Sequence, residues 1–80
     1  MTVEPPSYSL LIDARGHRCP TPTLRLRRGL EQVASGDVVL LLADDPLARI
    51  DVPHFISQTG GALLGLETQE RQLRFLVRKA

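Results

Sequence analysis

The feature that most constrains the fold is the segment at residues 37–43, in which Asp37 is followed by the unbroken apolar run Val-Val-Leu-Leu-Leu-Ala. The run is far too short to cross a membrane. It lacks the alternation of apolar and polar residues found in a strand with one solvent-exposed face, so it predicts a strand buried on both faces. Such a strand lies inside a sheet, and the residues around it must therefore supply neighbouring strands and a covering layer.

A strand and a helix are predicted before this segment. Residues 7–13 alternate as a strand does, and Gly16 then breaks the pattern. A helical pattern begins at Cys19, and Gly36 stands where a C-cap glycine belongs. The residues predicted to face the core are Tyr8, Leu10 and Ile12 on the strand and Leu26, Leu30, Val33 and Ala34 on the helix.

A helix and two strands are predicted after it. Asp-Asp-Pro at residues 44–46 marks a turn, and a second helix follows with Pro53 in its first turn and glycines at 60–61 as its stop. Residues 62–67 and 72–78 predict two strands joined by a short polar turn. The predicted buried residues are Ile50, Phe55 and Ile56 in the helix and Leu73, Phe75 and Val77 in the last strand.

This order predicts an α/β two-layer sandwich, β-α-β-α-β-β, with a four-stranded mixed sheet. Right-handed crossovers place both helices on the same face of the sheet. Residues 1–6 are predicted to be a flexible tail and residues 7–80 a single domain. The opposite face of the sheet would carry apolar side chains of the central strand. It is interpreted either as a docking or self-association surface or as scattered surface leucines.

The composition excludes several classes of function. A single cysteine in 80 residues rules out an internal disulfide and a cysteine-rich zinc site, and it suits a reducing compartment. Two histidines add no metal-ligand spacing, and no glycine-rich phosphate loop is present, so no cofactor is predicted. A net charge of +1 gives no general attraction to nucleic acid or membranes. The acidic amino terminus is not a signal peptide, and we therefore predict a cytoplasmic protein.

The chemistry-bearing residue is Cys19, in the run Cys-Pro-Thr-Pro at the start of the first helix. Pro20 suits a first helical position and holds the preceding residue extended, as an N-cap residue is, while Pro22 still falls in the first turn. The positive end of the helix dipole lowers the pKa of a thiol placed there, and Arg15 and Arg18 act in the same direction. The pattern indicates an exposed, reactive cysteine, although a free cysteine also serves as a small buried hydrophobe.

A lone reactive cysteine fits few kinds of chemistry. A Cys/His hydrolase needs a base oriented by a third group, and His17 is interpreted as a loop residue rather than such a base. A thioredoxin-type enzyme needs a second cysteine, which the chain lacks. A small domain with an exposed thiolate is better suited to carrying a group, such as a sulfane sulfur held as a persulfide.

Three blocks of the sequence resemble the TusA/SirA-like sulfur carriers. The first is residues 12–22, where an acidic residue and a glycine precede the Cys-Pro-x-Pro element. The second is Ala-Asp-Asp-Pro at residues 43–46, and the third is residues 51–60. The resemblance covers residues 11–79 and implies the same β-α-β-α-β-β sandwich, with Cys19 carrying persulfide sulfur.

The resemblance also implies partners. Members of the family receive sulfur from a cysteine desulfurase or a rhodanese-type donor. They pass it to relay proteins for tRNA thiolation, molybdenum cofactor supply or sulfur oxidation. Two positions depart from the pattern: His17 stands where many relatives have an apolar residue, and Ile56 replaces a second cysteine that some relatives carry.

The role of the charged residues near the cysteine can be interpreted in two ways for each group. Arg25, Arg27 and Arg28 form either a solvated helix face or a docking patch for an acidic partner. Asp44 and Asp45 serve either as turn and helix-start residues or, since parallel strands end at the same sheet edge, as neighbours of Cys19. As an alternative to sulfur transfer, the chain is a non-catalytic binding or regulatory module that docks through the arginines or the open sheet face.

Overall fold

The structure is a computed structural model, and it describes residues 8–16 and 21–80, with only the backbone of Thr21. Predictions that fall on His17, Arg18, Cys19 and Pro20, and on the tail at residues 1–6, lie outside the described residues. The elements are β1 (Leu10–Asp13), α1 (Thr21–Leu30), β2 (Val38–Ala43), α2 (Ala48–Thr59), β3 (Ala62–Gln69) and β4 (Gln72–Arg78).

The four strands form one mixed sheet in the order β1-β2-β4-β3. β2 is an inner strand, parallel to β1 and antiparallel to β4, which confirms the interpretation of the apolar segment. β3 is an edge strand antiparallel to β4, and Leu64 interrupts their register because Leu63 and Gly65 pair with the consecutive residues Val77 and Leu76. Both helices follow parallel strands, so they return across the same face.

The core lies between that face and the two helices, which confirms the predicted two-layer sandwich. β2 is buried along most of its length, as expected for a strand with neighbours on each side and side chains on both faces. No helix among residues 8–16 and 21–80 is long and apolar enough to cross a membrane. The core is built from Ile12, Ala14, Leu26, Leu30, Val39, Leu41, Ala43, Ala48, Val52, Ile56, Leu73, Phe75 and Val77.

Two predictions in the first half of the chain are wrong. β1 begins at Leu10 rather than at residue 7, and Tyr8 is exposed instead of facing the core. α1 ends at Leu30, so Gly36 is not its C-cap. The Asp37 carboxylate accepts the Ala34 amide (3.0 Å), and the resulting turn competes with further helix. Of the predicted stripe, Ala34 is therefore exposed, whereas Val33 still packs partly against the core.

α2 starts earlier than predicted. It begins at Ala48, directly after the 44–46 turn, so Pro53 lies inside the helix rather than in its first turn. This earlier start changes which residues face inward: Ala48 and Val52 are buried, while Ile50 is 69% exposed, contrary to prediction. The predicted stop is correct, because Gly60 adopts a left-handed conformation (φ 79°) at the C-cap.

The apolar side chains of β2 on the open face of the sheet are less exposed than the sequence predicts. Leu40 and Leu42 of β2 point to this face but are only 7% and 8% exposed. Their register neighbours, Leu11 on β1 and Leu76 on β4, flank Leu40. Leu11 is the large hydrophobic residue that this part of the sheet presents to solvent, at 48% exposure. Both interpretations of this face, as a docking surface or as surface leucines, stay predictions.

We expect Gly29→Ala to destabilise the protein, because α1 packs closely on β1 at this position. An added Cβ would collide with Ile12 Cδ1 and come within 3.2 Å of Leu10 Cδ2. Overpacking costs about 1–3 kcal/mol, which outweighs the gain of about 1 kcal/mol in helix propensity. Chemical denaturation should show a net loss of about 1 kcal/mol.

The matched control is Gly65→Ala in β3, where a Cβ would meet open space. Relief of glycine's conformational entropy should leave this variant unchanged or more stable by about 0.5–1 kcal/mol. A Gly29→Ala variant as stable as Gly65→Ala would contradict the close packing of α1 on β1.

Candidate functional site

The candidate site lies at the sheet edge where the parallel strands β1 and β2 end, which we call the carboxyl edge. Asp13, the last residue of β1, is in register with Leu42 of β2. The chain following each strand therefore leaves the sheet at the same place. The predicted nucleophile Cys19 follows β1 along the chain, and Asp44 follows β2.

The first contact at this edge is an ion pair between Asp13 and Arg15. The guanidinium donates from Nε to Asp13 Oδ1 (2.9 Å) and from Nη2 to Oδ2 (2.7 Å), and the Arg15 amide also donates to Oδ1 (3.1 Å). These bonds hold the pKa of Asp13 down at about 2 and raise the pKa of Arg15. About half of each side chain is exposed, so the pair contributes more to geometry than to stability.

The backbone amides at the end of β1 are held one after another. The Ala14 amide donates to the carbonyl oxygen of Leu42 (2.8 Å), and the Arg15 amide donates to Asp13 as described. The Gly16 amide donates to both carboxylate oxygens of Asp44, at 3.0 and 2.9 Å. Gly16 has φ 81°, a conformation that glycine adopts without steric cost.

The two aspartates that follow β2 have different partners. Asp45 Oδ1 accepts the Leu47 amide (3.0 Å), and its carbonyl oxygen accepts the Ala48 amide (3.0 Å), so it starts the turn into α2. This is the turn role that the sequence suggested. Asp44 instead contacts Gly16, three residues before Cys19, and links the segments that follow β1 and β2.

The first turn of α1 is partly buried. Pro22, a predicted supporting residue, lies in the first turn as predicted, and the structure adds that it is fully buried. Thr23 Oγ1 is buried without a hydrogen-bond partner among the described residues. Leu24, by contrast, is 56% exposed on the outer surface of the helix. The beginning of α1 is therefore anchored on one side and presents an apolar side chain to solvent on the other.

The predicted docking residues lie around Leu24. Arg25, Arg27 and Arg28 are exposed, and together with Leu24 and Glu31 they line a shallow groove on α1. Arg25 also donates from Nη1 to the carbonyl oxygen of Asp13 (3.3 Å), which ties the helix to the end of β1. The structure thus brings the arginines together as one surface, which we call the arginine patch.

The remaining predicted site residues, Cys19, Pro20 and Arg18, lie outside the described residues, as does His17. Their roles stay predictions. Among residues 8–16 and 21–80, no cluster of three or more histidine, cysteine or acidic side chains could hold a metal ion.

Two contacts were missed by the sequence analysis. Arg15 was predicted to act on the thiol, and the partner that the structure gives it is Asp13. An aspartate at a strand end, two residues before the amide it accepts, is a common turn pattern and was the available signal. The contact between Asp44 and Gly16 had no local signal, because 28 residues separate them in sequence.

Comparison with known proteins identifies relatives along nearly the whole chain. The sequence model of the family described as "Sulfurtransferase TusA" matches residues 11–79. Among solved structures, the crystal structure of a SirA-like protein from Desulfitobacterium hafniense is similar in fold, with a TM-score of 0.77 and 25% sequence identity. The similarity covers 88% of this chain and 96% of that protein.

We expect Arg15→Gln to raise the pKa of Asp13 from about 2 towards its ordinary value of 3.8, because the largest cause of the low pKa is the bond from Arg15. The folded-state pKa is below the unfolded one, so any stabilisation by this pair is present above pH 3.8 and is lost as the pH falls towards 2. The carboxyl titration is measured by NMR.

Arg27→Gln is the matched control, since Arg27 is not among the groups that affect the pKa of Asp13. It should leave the Asp13 titration unchanged. An equal shift in both variants would contradict the assignment of the low pKa to the bond from Arg15.

Proposed function

Because the chain belongs to the TusA sulfurtransferase family, we propose that it is a persulfide carrier in which Cys19 accepts a sulfur atom and passes it on. The observation that supports this most directly is the place of the chain's only cysteine. Cys19 falls within the family match, three residues after the Gly16 amide bound by Asp44 and two before the first residue of α1.

The proposed transfer conserves atoms and electrons without a cofactor. The Cys19 thiolate attacks the outer sulfur of a persulfide on the donor protein. A new S–S bond forms between Cys19 and the outer sulfur while the S–S bond of the donor breaks. The cysteine sulfur of the donor leaves as a thiolate with the bonding electron pair. The terminal sulfur keeps its proton. The same exchange in the opposite sense delivers the sulfur to an acceptor.

The supporting roles follow from charge and anchoring. The helix end and Arg18 favour the thiolate of Cys19. Arg15 contributes less charge than the sequence suggests because Asp13 offsets it, and its bonds instead shape the segment that leads to the cysteine. Pro20 and Pro22 hold the entry into α1, and the burial of Pro22 supports this role.

The arginine patch is proposed as a docking surface for acidic partner proteins. It lies on α1, the helix that begins two residues after Cys19, and it surrounds the exposed Leu24. Family membership implies partners in a sulfur relay. We propose a cysteine desulfurase or rhodanese-type donor and a relay protein as acceptor, without direct binding to nucleic acid or membranes. tRNA thiolation, molybdenum cofactor supply and sulfur oxidation are the candidate pathways.

Two further predictions accompany this proposal. A cytoplasmic location is supported by the single cysteine, which suits a reducing compartment. A single domain over residues 7–80 is supported by one continuous core, to which β1, β2, β4 and both helices contribute.

The central test is a sulfur-loading assay with the isolated chain, a cysteine desulfurase and cysteine. We expect intact-mass spectrometry to show a product one sulfur atom heavier, and treatment with a thiol should remove that sulfur. Cys19→Ser should show no such product, because serine is nearly the same size but cannot form a persulfide.

An unloaded wild-type chain, or a reducible adduct on Cys19→Ser, would contradict the carrier function. The alternative, a non-catalytic binding module, predicts that Cys19→Ser keeps its biological role in full.

The docking role is tested by reversing charge in the arginine patch. Arg27→Glu should slow transfer from an acidic donor severalfold at low salt, because complementary charges act mainly on the association rate. The difference should shrink as salt rises. Transfer rates are measured by stopped-flow or quenched mass spectrometry over a range of salt concentrations.

Arg78→Glu is the matched control. It is also an exposed arginine, but it lies at the end of β4 that pairs with the start of β2, away from the carboxyl edge. Equal slowing by the two changes would indicate a general charge effect and would exclude docking through the arginine patch.

A further inference from the structure

We infer that Asp44 is a positioning residue for sulfur transfer, which it serves by fixing where the segment leading to Cys19 leaves the sheet. This inference rests on the proposed function. The observation behind it is the pair of contacts from the Gly16 amide to the two carboxylate oxygens of Asp44, at 3.0 and 2.9 Å.

The sequence separation of this contact distinguishes Asp44 from Asp13 and Asp37, which also bind backbone amides. Asp13 accepts the Arg15 amide and Asp37 accepts the Ala34 amide, each within its own turn. Asp44 accepts an amide 28 residues away. It therefore joins two separate segments, one leaving β1 and one leaving β2, and fixes their relative placement.

Gly16 carries the last of three consecutive backbone amides that donate hydrogen bonds at the end of β1. The Ala14 amide is held by the β2 backbone and the Arg15 amide by Asp13, so both are fixed by the strands or by the turn itself. The Gly16 amide, in the left-handed conformation, depends on Asp44. Loss of the Asp44 carboxylate would free the chain at Gly16, the last described residue before Cys19.

The charge of Asp44 argues against a role in activating the thiol. A carboxylate near a thiol raises the thiol pKa because it opposes the negative charge of the thiolate. Asp44 also lies close enough to Arg15 to raise the pKa of that guanidinium. A benefit of Asp44 to sulfur transfer must therefore come from geometry, and this separates two measurable quantities: thiol ionisation and transfer to a partner protein.

The test compares Asp44→Ala with Asp44→Asn in two reactions. The first is alkylation of Cys19 by iodoacetamide over a range of pH, which reports the thiol pKa. The second is sulfur transfer from a cysteine desulfurase. In Asp44→Ala, we expect transfer to fall about tenfold to a hundredfold, as expected for a misplaced reacting group, without a rise in the thiol pKa.

Asp44→Asn keeps one oxygen that can accept the Gly16 amide and should restore most of the transfer rate. Asp37→Ala is the matched control, since it removes the same kind of aspartate–amide bond at the opposite edge of the sheet. It should leave transfer unchanged. Equal losses in Asp44→Ala and Asp37→Ala, or an Asp44→Ala variant that transfers as the wild type does, would overturn the inference.

A third measurement does not depend on sulfur chemistry. Hydrogen exchange of the Gly16 amide, followed by NMR, should speed up in Asp44→Ala and stay slow in Asp44→Asn and Asp37→Ala. If the wild-type chain never accepts sulfur, the carrier function fails, while this exchange pattern still tests the anchoring of Gly16. Unchanged exchange in Asp44→Ala would exclude the anchoring itself.

Discussion

The parallel pairing of β1 with β2 is the interaction on which the candidate site depends. Because the two strands run in the same direction, the segments that follow them leave the sheet side by side. This places Asp44 within hydrogen-bond distance of Gly16. The pairing is held in turn by the burial of β2, whose alternate residues contribute to the core under the helices. Apolar packing thus determines the geometry at a polar, solvent-facing edge.

Apolar patterns, together with the positions of glycine and proline, were sufficient to predict the kind and order of the elements. They failed at the end of α1 and at the start of α2, where single side chains decide the outcome. Asp37 captures the Ala34 amide and shortens α1, and Asp45 captures the Leu47 amide and starts α2 early. Because that early start puts Ile50 inside the helix, away from the face that carries Ala48, Val52 and Ile56, its predicted place in the core is wrong. Carboxylates that bind nearby amides are common in turns, but the positions of apolar residues do not predict these hydrogen bonds.

In the candidate site, too, the features that depend on neighbouring residues were predicted, and a contact between distant residues was not. The predicted arginine patch is local, since its arginines lie within about one turn of one helix, and the structure brings them together around Leu24. Cys19 was singled out from its immediate neighbours alone. The hydrogen bond from Gly16 to Asp44 could not be predicted from neighbouring residues, because only the strand register brings these two residues together. The partner of Arg15 was open to prediction from a familiar turn pattern.

The irregularity at Leu64 has a consequence for the behaviour of the protein in solution. β3 is an edge strand that carries three partly exposed leucines, and Glu67 is its one charged residue. Edges of this kind invite identical molecules to stack into extended ribbons. An extra residue in one strand typically bends that strand and increases its twist, so a neighbouring copy would meet an irregular hydrogen-bonding ladder at Leu64. This small defect in the sheet therefore opposes aggregation.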